Sequence, residues 1–252
     1  RSLVAAWRQD GCATPHRVRI RATHRLVLKP DRVPAGSIVR CWIPLPRAAG
    51  VQSAPTIIQS DPPALRVSVP AAPQRTVYFE QPAAAGAPTA FSLTWEYSTS
   101  AYLPLLSGAT SAACLPQEEL CRHLTEEFPH IVFTPEIRTL ARDIAGELAH
   151  PLERARSLFA WVVDNVRYAS EMEYAVMPRI LEKALATRRG DCGVQALLFI
   201  TLCRAAGVPA RWVSGWVVYP SGWNMHDWAE FYVEPYGWLP ADLSRGWRDD
   251  AD

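Results

Sequence analysis

Three side chains stand in an order that suits acyl transfer: Cys192, then His226 34 residues on, then Asp242 a further 16 residues on. A thiolate attacks an amide carbonyl, an imidazole takes and returns the proton, and a carboxylate holds the imidazole in one orientation. Each alone is a weak signal, because a lone histidine is commonly structural and an aspartate after Pro-Ala is commonly a turn residue. Cys192 is distinguished by its position, between Gly190-Asp191 and Gly193-Val194, where a long apolar stretch begins. Asp191 can cap a helix starting there. The unpaired N–H groups and partial positive charge of a helix start favour a thiolate and lower its pKa. The same N–H groups can hold an oxyanion. Gly193 costs about 1 kcal/mol of helix stability against alanine, and leaves room for a substrate to approach. The competing reading makes Cys192 a small core residue. That reading suits Cys203, eleven residues on and mid-helix among apolar neighbours. On position alone, both readings of Cys192 stay open.

The elements that must position these residues follow from periodicity. The stretch from Cys192 is apolar on all sides of a helical projection, so it predicts a buried helix. Gly207 and Pro209 stop it. ARWVSGWVVYP, HDWAEFYVE and GWLPADLS then read as three strands, with PSGWN and PYG as turns. His226 opens the second strand and Asp242 closes the third, so antiparallel neighbours bring them to one end of a sheet. Asp227 and Glu230 are rivals to orient the histidine. Asp227 should point to the opposite face, and Glu230 lies four residues further along. His16, His24, His123, His130 and His150 have no matching context.

Upstream, LPQEELCRHLTEEF, TPEIRTLARDIAGEL, PLERARSLFAWVVDNV and MPRILEKALAT have helical spacing, and in the second and third a proline stands at the helix start. From Arg17 to Ser100 the pattern is instead strand-like: VRIRATHRLVL, IVRCWIPLP, ALRVSVP, RTVYFEQ and FSLTWEYST, with the low-complexity loop PAAAGAP between the last two. This predicts an α+β chain. A β-sandwich-like domain spans residues 1–110, and a second domain of helices packed on an antiparallel sheet spans 111–252.

Composition narrows the partners. Ten tryptophans and a formal charge of +1 exclude a disordered chain, and nothing in the charge balance points to nucleic acid or a membrane surface. No apolar run reaches the ~18 residues of a membrane span. The chain starts at Arg1 rather than methionine, so its natural N-terminus is expected elsewhere, and a removed signal peptide is compatible with this. Of six cysteines, Cys114 and Cys121 are the expected local disulfide. The spacing provides no metal site and implies no cofactor. Trp216, Trp223 and Trp228 are expected to wall the cleft for an acyl-donor side chain or peptide, with VVYPSGWNM as its rim.

GDC before an apolar helix, RAAGVPARWVSGW, HDWAEFYV and YGWLPAD together resemble the transglutaminase-like superfamily of papain-type cysteine enzymes, from about Ala155 to Ser244. CWIPLP carries a weaker likeness to the β-sandwich that precedes such cores in bacterial members. The resemblance implies a papain/transglutaminase-like core, with Cys192 as nucleophile, His226 as general base and acid, Asp242 as orienter and Tyr168 as an oxyanion-stabilising aromatic. It also implies a protein or peptide substrate, cell-wall peptide included, and a periplasmic or extracellular location. The reaction it favours is hydrolysis of peptide or isopeptide amides through a thioester. Amine transfer in a protein cross-linker, or a non-catalytic binding module that keeps the fold, are the alternatives. Two departures stand out. Many members read His-Ala-Trp where this chain has His226-Asp227-Trp228. The chain also ends ten residues after Asp242, leaving the last strands of the sheet either trimmed or supplied by another segment.

Overall fold

The computed structural model describes residues 17–101, 115–219 and 222–245. The chain divides into two compact units, Arg1–Pro104 and Leu105–Asp252.

The described residues of the first unit hold six strands: β1 (Arg17–Leu28), β2 (Ile38–Pro44), β3 (Thr56–Asp61), β4 (Arg66–Val67), β5 (Thr76–Pro82) and β6 (Thr89–Ser100). They form two antiparallel sheets, ordered β1-β6-β3 and β2-β5-β4. Alternation makes the core. Phe91, Leu93 and Trp95 of β6 are buried while Ser92 and Thr94 between them are not. Val77 and Phe79 of β5 and Ile43 of β2 are also buried, and the Phe79 and Phe91 rings meet at 6.0 Å. ALRVSVP contributes only the two residues of β4. β3 has no distinct signal in the sequence. It borrows its ladder from β6, with a register irregularity between Ile57 and Gln59.

The second unit is built around one buried helix. Its helices are α1 (Gln117–Arg122), α2 (Pro135–Ala145), α3 (Pro151–Asn165), α4 (Ile180–Thr187) and α5 (Cys192–Ala205). β7 (Arg167–Tyr168) and β8 (Arg189–Gly190) form a short parallel pair. β9 (Ala210–Tyr219), β10 (Gly222–Val233) and β11 (Gly237–Ala241) form an antiparallel sheet ordered β11-β10-β9. Every residue of α5 from Gly193 to Arg204 is buried, as an all-round apolar helix requires. It packs against β9 and β10 and against α2, α3 and α4. Gly207 closes it with φ 77, the left-handed region that suits glycine, and the Val208 N–H returns to the Cys203 carbonyl at 2.8 Å.

Helix starts follow their caps. Thr134 accepts the Ile137 N–H at 3.2 Å, and His150 accepts that of Leu152 at 3.2 Å, each ahead of a proline at the first turn. Two predicted helices are shorter than their periodicity. α1 stops at Arg122 although apolar spacing runs on to Phe128. Tertiary contact overrides propensity there. The buried Arg204 guanidinium takes the Thr125 carbonyl at 2.8 Å and Glu127 at 3.2 Å, and Pro129 could not continue a helix. α4 starts at Ile180 rather than Met177, because Pro178 disfavours helical backbone before it; a 3-10 turn (Tyr174–Val176) stands upstream instead. No described helix is long and apolar enough to cross a membrane.

Candidate active site

Cys192 is the first residue of α5, and the loop before it is held tightly. Tyr168 and Gly190 are register partners in the β7–β8 pair, and the Ala169 N–H donates to the Gly190 carbonyl at 3.0 Å. A side chain at position 190 would overlap Val194. Asp191 is the cap, accepting the Val194 N–H at 3.1 Å, and its same oxygen accepts the Tyr174 hydroxyl at 2.6 Å. Tyr174 leans edge-on against Trp212, with ring centres 6.2 Å apart. The open side of Gly193 therefore differs from its expected use. The Tyr174 ring fills the space a Cβ would occupy there, rather than leaving it for substrate.

His226 lies in β10, and its Nε2 is 2.8 Å from Asp242 Oδ2, just past the end of β11. The Ser244 hydroxyl donates to the other oxygen of Asp242 at 2.8 Å. Trp228 stacks on the imidazole, with centroids 6.2 Å apart and planes 27° apart. Gly215, the register partner of His226, gives the Trp228 ring room: a Cβ there would approach it to 3.0 Å. Glu230 is engaged elsewhere, paired with Arg211 at 2.6 Å.

The β9–β10 ladder is unbroken from Gly222 to Phe231, so His226 and Asp227 face opposite sides of β10. Asp227 shares its face with the buried Ala229, Phe231 and Val233, which is the face that packs on α5. Its carboxylate meets the sulfur: the Cys192 thiol donates to Asp227 Oδ2 at 3.9 Å. The structure thus brings His226 and Asp242 together and joins Cys192 to Asp227 rather than to His226.

This corrects the expectation of an acidic thiol. Burial pushes the Cys192 pKa up, and the Asp227 and Asp191 charges push it further. The backbone N–H groups of Asp227 and Gly193 favour the thiolate but do not outweigh those effects. Burial likewise raises the Asp227 carboxyl, against the hydroxyl of Ser214, its register partner.

The three tryptophans divide between faces. Trp216 pairs in register with Met225, and Trp223 with Val218; alternation places all four on the Asp227 side. Trp223 is 68% exposed and Met225 71%. Trp228 lies on the other side as the support of His226. Tyr168 is 61% exposed, and its phenol is pushed up by burial and by the charges of Cys192 and Asp191.

Cys121 stands as a free, exposed thiol, so the expected local disulfide is absent at that residue; Cys114 lies outside the described residues, as does Cys12. Among the described residues no group of three His, Cys, Asp or Glu is placed to hold a metal ion.

Tyr174, Asp227 in its contact with sulfur, Ser244 and Gly215 are absent from the sequence reading. The glycines at 193 and 215 were the only local signals, each marking where an aromatic ring lies on the backbone.

Comparison with known proteins agrees with this architecture. Residues 138–243 match the model of the transglutaminase-like superfamily. An uncharacterized Haemophilus influenzae protein is 26% identical over 171 residues, 55% of this chain and 45% of that protein. Peptide-N(4)-(N-acetyl-beta-glucosaminyl)asparagine amidase of Gallus gallus is 38% identical over 88 residues, 32% of this chain and 12% of that enzyme. The chain spans less than half the length of the curated relatives it matches. A solved structure of a candidate cysteine protease from Cytophaga hutchinsonii superposes with a TM-score of 0.65 at 17% identity, covering 90% of this chain and 79% of that one, which shows a shared fold.

Proposed function

From a transglutaminase-like domain at residues 138–243, we propose that this chain hydrolyses peptide or isopeptide amide bonds through a thioester on Cys192. The observation that carries the reading is the 2.8 Å His226–Asp242 pair, in the unit whose central helix begins at a free cysteine. With Nε2 committed to Asp242, Nδ1 is the nitrogen left to accept the thiol proton, and that step requires the imidazole to move from the side of β10 opposite Asp227 toward the sulfur. The sulfur attacks the amide carbon, and the carbonyl π electrons move to oxygen. The Cys192 N–H at the helix start is the natural donor to that oxyanion, with the Tyr168 hydroxyl as second candidate. Imidazolium then protonates the leaving nitrogen, the C–N bond breaks, and the acyl group stays on sulfur. His226 activates a water that releases the acid and restores the thiol. Asp242 fixes the ring and stabilises its charged form, and Ser244 fixes Asp242.

The Gallus gallus relative is named for an amide-cleaving activity, which favours hydrolysis over amine transfer. The test is a library of fluorogenic peptide and isopeptide amides, run with and without a fluorescent primary amine. Release of amine without amine incorporation is expected, with activity falling at least about 10³-fold in Cys192→Ala. Amine incorporation in place of release would make the chain a cross-linker. Turnover that survives Cys192→Ala would remove the thioester altogether.

A further inference from the structure

The residue against the sulfur is an aspartate, and it belongs to the wrong chemical class to activate it. A carboxylate is a far weaker base than a thiolate, so it cannot take the proton from Cys192 to any useful extent. It can accept a hydrogen bond from the neutral thiol, and it repels the thiolate. We infer that Asp227 is a positioning residue that keeps the nucleophile latent, holding Cys192 as a neutral thiol in the resting protein. The inference concerns regulation of the site under Proposed function and rests on Cys192 being its nucleophile.

The geometry is specific to this pair. Asp227 Oδ2 lies 3.9 Å from Sγ, on the half-buried face of β10 that packs toward α5. The unbroken register from Gly222 to Phe231 fixes that orientation, and Ser214 across the ladder steadies the carboxylate. The backbone N–H of residue 227 favours the thiolate while its side chain opposes it. The two contributions are therefore separable, because a substitution removes the side chain and leaves the N–H. The charged and titratable groups facing the pair are few. Asp191 precedes α5 and is already held by Tyr174 and the Val194 N–H. Tyr174 and Tyr168 stand beside it, both phenols pushed up by burial and by neighbouring negative charge. His226 is next in sequence and committed to Asp242. Of these, only Asp227 bonds the sulfur through its side chain. Burial and both carboxylates push the thiol the same way, so removing one carboxylate should bring the thiol down.

The test is the rate of alkylation by iodoacetamide between pH 5 and 10, followed by mass spectrometry at Cys192. In this reaction the thiolate displaces iodide, a carbon–sulfur bond forms as the carbon–iodine bond breaks, and the thiol proton passes to buffer or imidazole. The inflection of the wild-type profile is expected above that of an unfolded thiol. In Asp227→Asn and Asp227→Ala it should move down by at least one unit, raising the neutral-pH rate about tenfold per unit moved. Asp227→Glu should restore the late inflection. Circular dichroism confirms the fold, and the near-isosteric Asn variant carries the test should Ala disturb it. An inflection that stays in place or rises in both variants overturns the inference. So does a neutral-pH labelling rate that falls below wild type in folded Asp227→Asn, which would show the Asp227 side chain favouring the thiolate. Amide turnover is followed in parallel. An early inflection in Asp227→Asn without turnover in any variant would sink the proposed reaction and leave the latch standing.

Discussion

At the scale of single residues, the proposed reaction separates the group that reacts from the groups that prepare it. Asp242 touches His226, and Ser244 touches only Asp242. Their removal should therefore differ in size. Asp242→Ala is expected to lower kcat/KM about 10²–10⁴-fold, the usual range for general acid–base assistance. Ser244→Ala is expected to lower it about tenfold, the scale of one hydrogen bond to a charged group. Equal losses in steady-state kinetics would show Ser244 acting directly on substrate. Cys192 and Asp242 sit at element boundaries marked by glycine, proline or a switch of periodicity, whereas His226, expected to open its strand, lies inside β10, which starts at Gly222. The role of Asp227 was not legible in the sequence. Alternation predicts that it opposes His226, but which face of β10 meets the helix start is a tertiary fact. The expected acidic thiol failed for the same reason: helix-end polarity is local, whereas burial and a carboxylate from a strand 35 residues away are not.

At the scale of elements, the start of α5 is wedged rather than open. A methyl at position 193 would collide with the Tyr174 hydroxyl and ring, and one at 190 with Val194. Gly193→Ala would gain intrinsic helix propensity of about 1 kcal/mol in an isolated helix. In this protein it is expected to lower Tm instead and to free Tyr174 from Asp191. The check is thermal denaturation alongside tyrosine fluorescence; a raised Tm would mean that Tyr174 swings away without loss. Helices α2, α3 and α5 were readable because caps and prolines punctuate them. The premature end of α1 was not, since Arg204 reaches it from 82 residues downstream of Arg122 in the sequence. The two-residue pair β7–β8 was equally hidden. Its pairing depends on closing the chain from Arg167 to Arg189, and no periodicity can show in two residues.

At the scale of the whole molecule, the two units carry separate cores, and their sequence patterns differ accordingly: period two before Ser100, period near 3.6 and then two again after it. Leu198 is fully buried in the helix that carries Cys192, and Phe79 is fully buried in the sheet-rich unit. Leu198→Ala is expected to cost about 2–5 kcal/mol and Phe79→Ala about 3–5 kcal/mol, the sum of lost transfer free energy and a cavity. The losses should fall on different observables. In Leu198→Ala the helix start that fixes the thiol loosens, so the pH profile of Cys192 alkylation should change with stability. In Phe79→Ala stability should fall while that profile holds, because Asp191, Gly193 and Asp227, which bond or charge the sulfur, belong to the second unit. Calorimetry read beside alkylation rates decides it. A shifted profile in Phe79→Ala would overturn that separation of stability from reactivity.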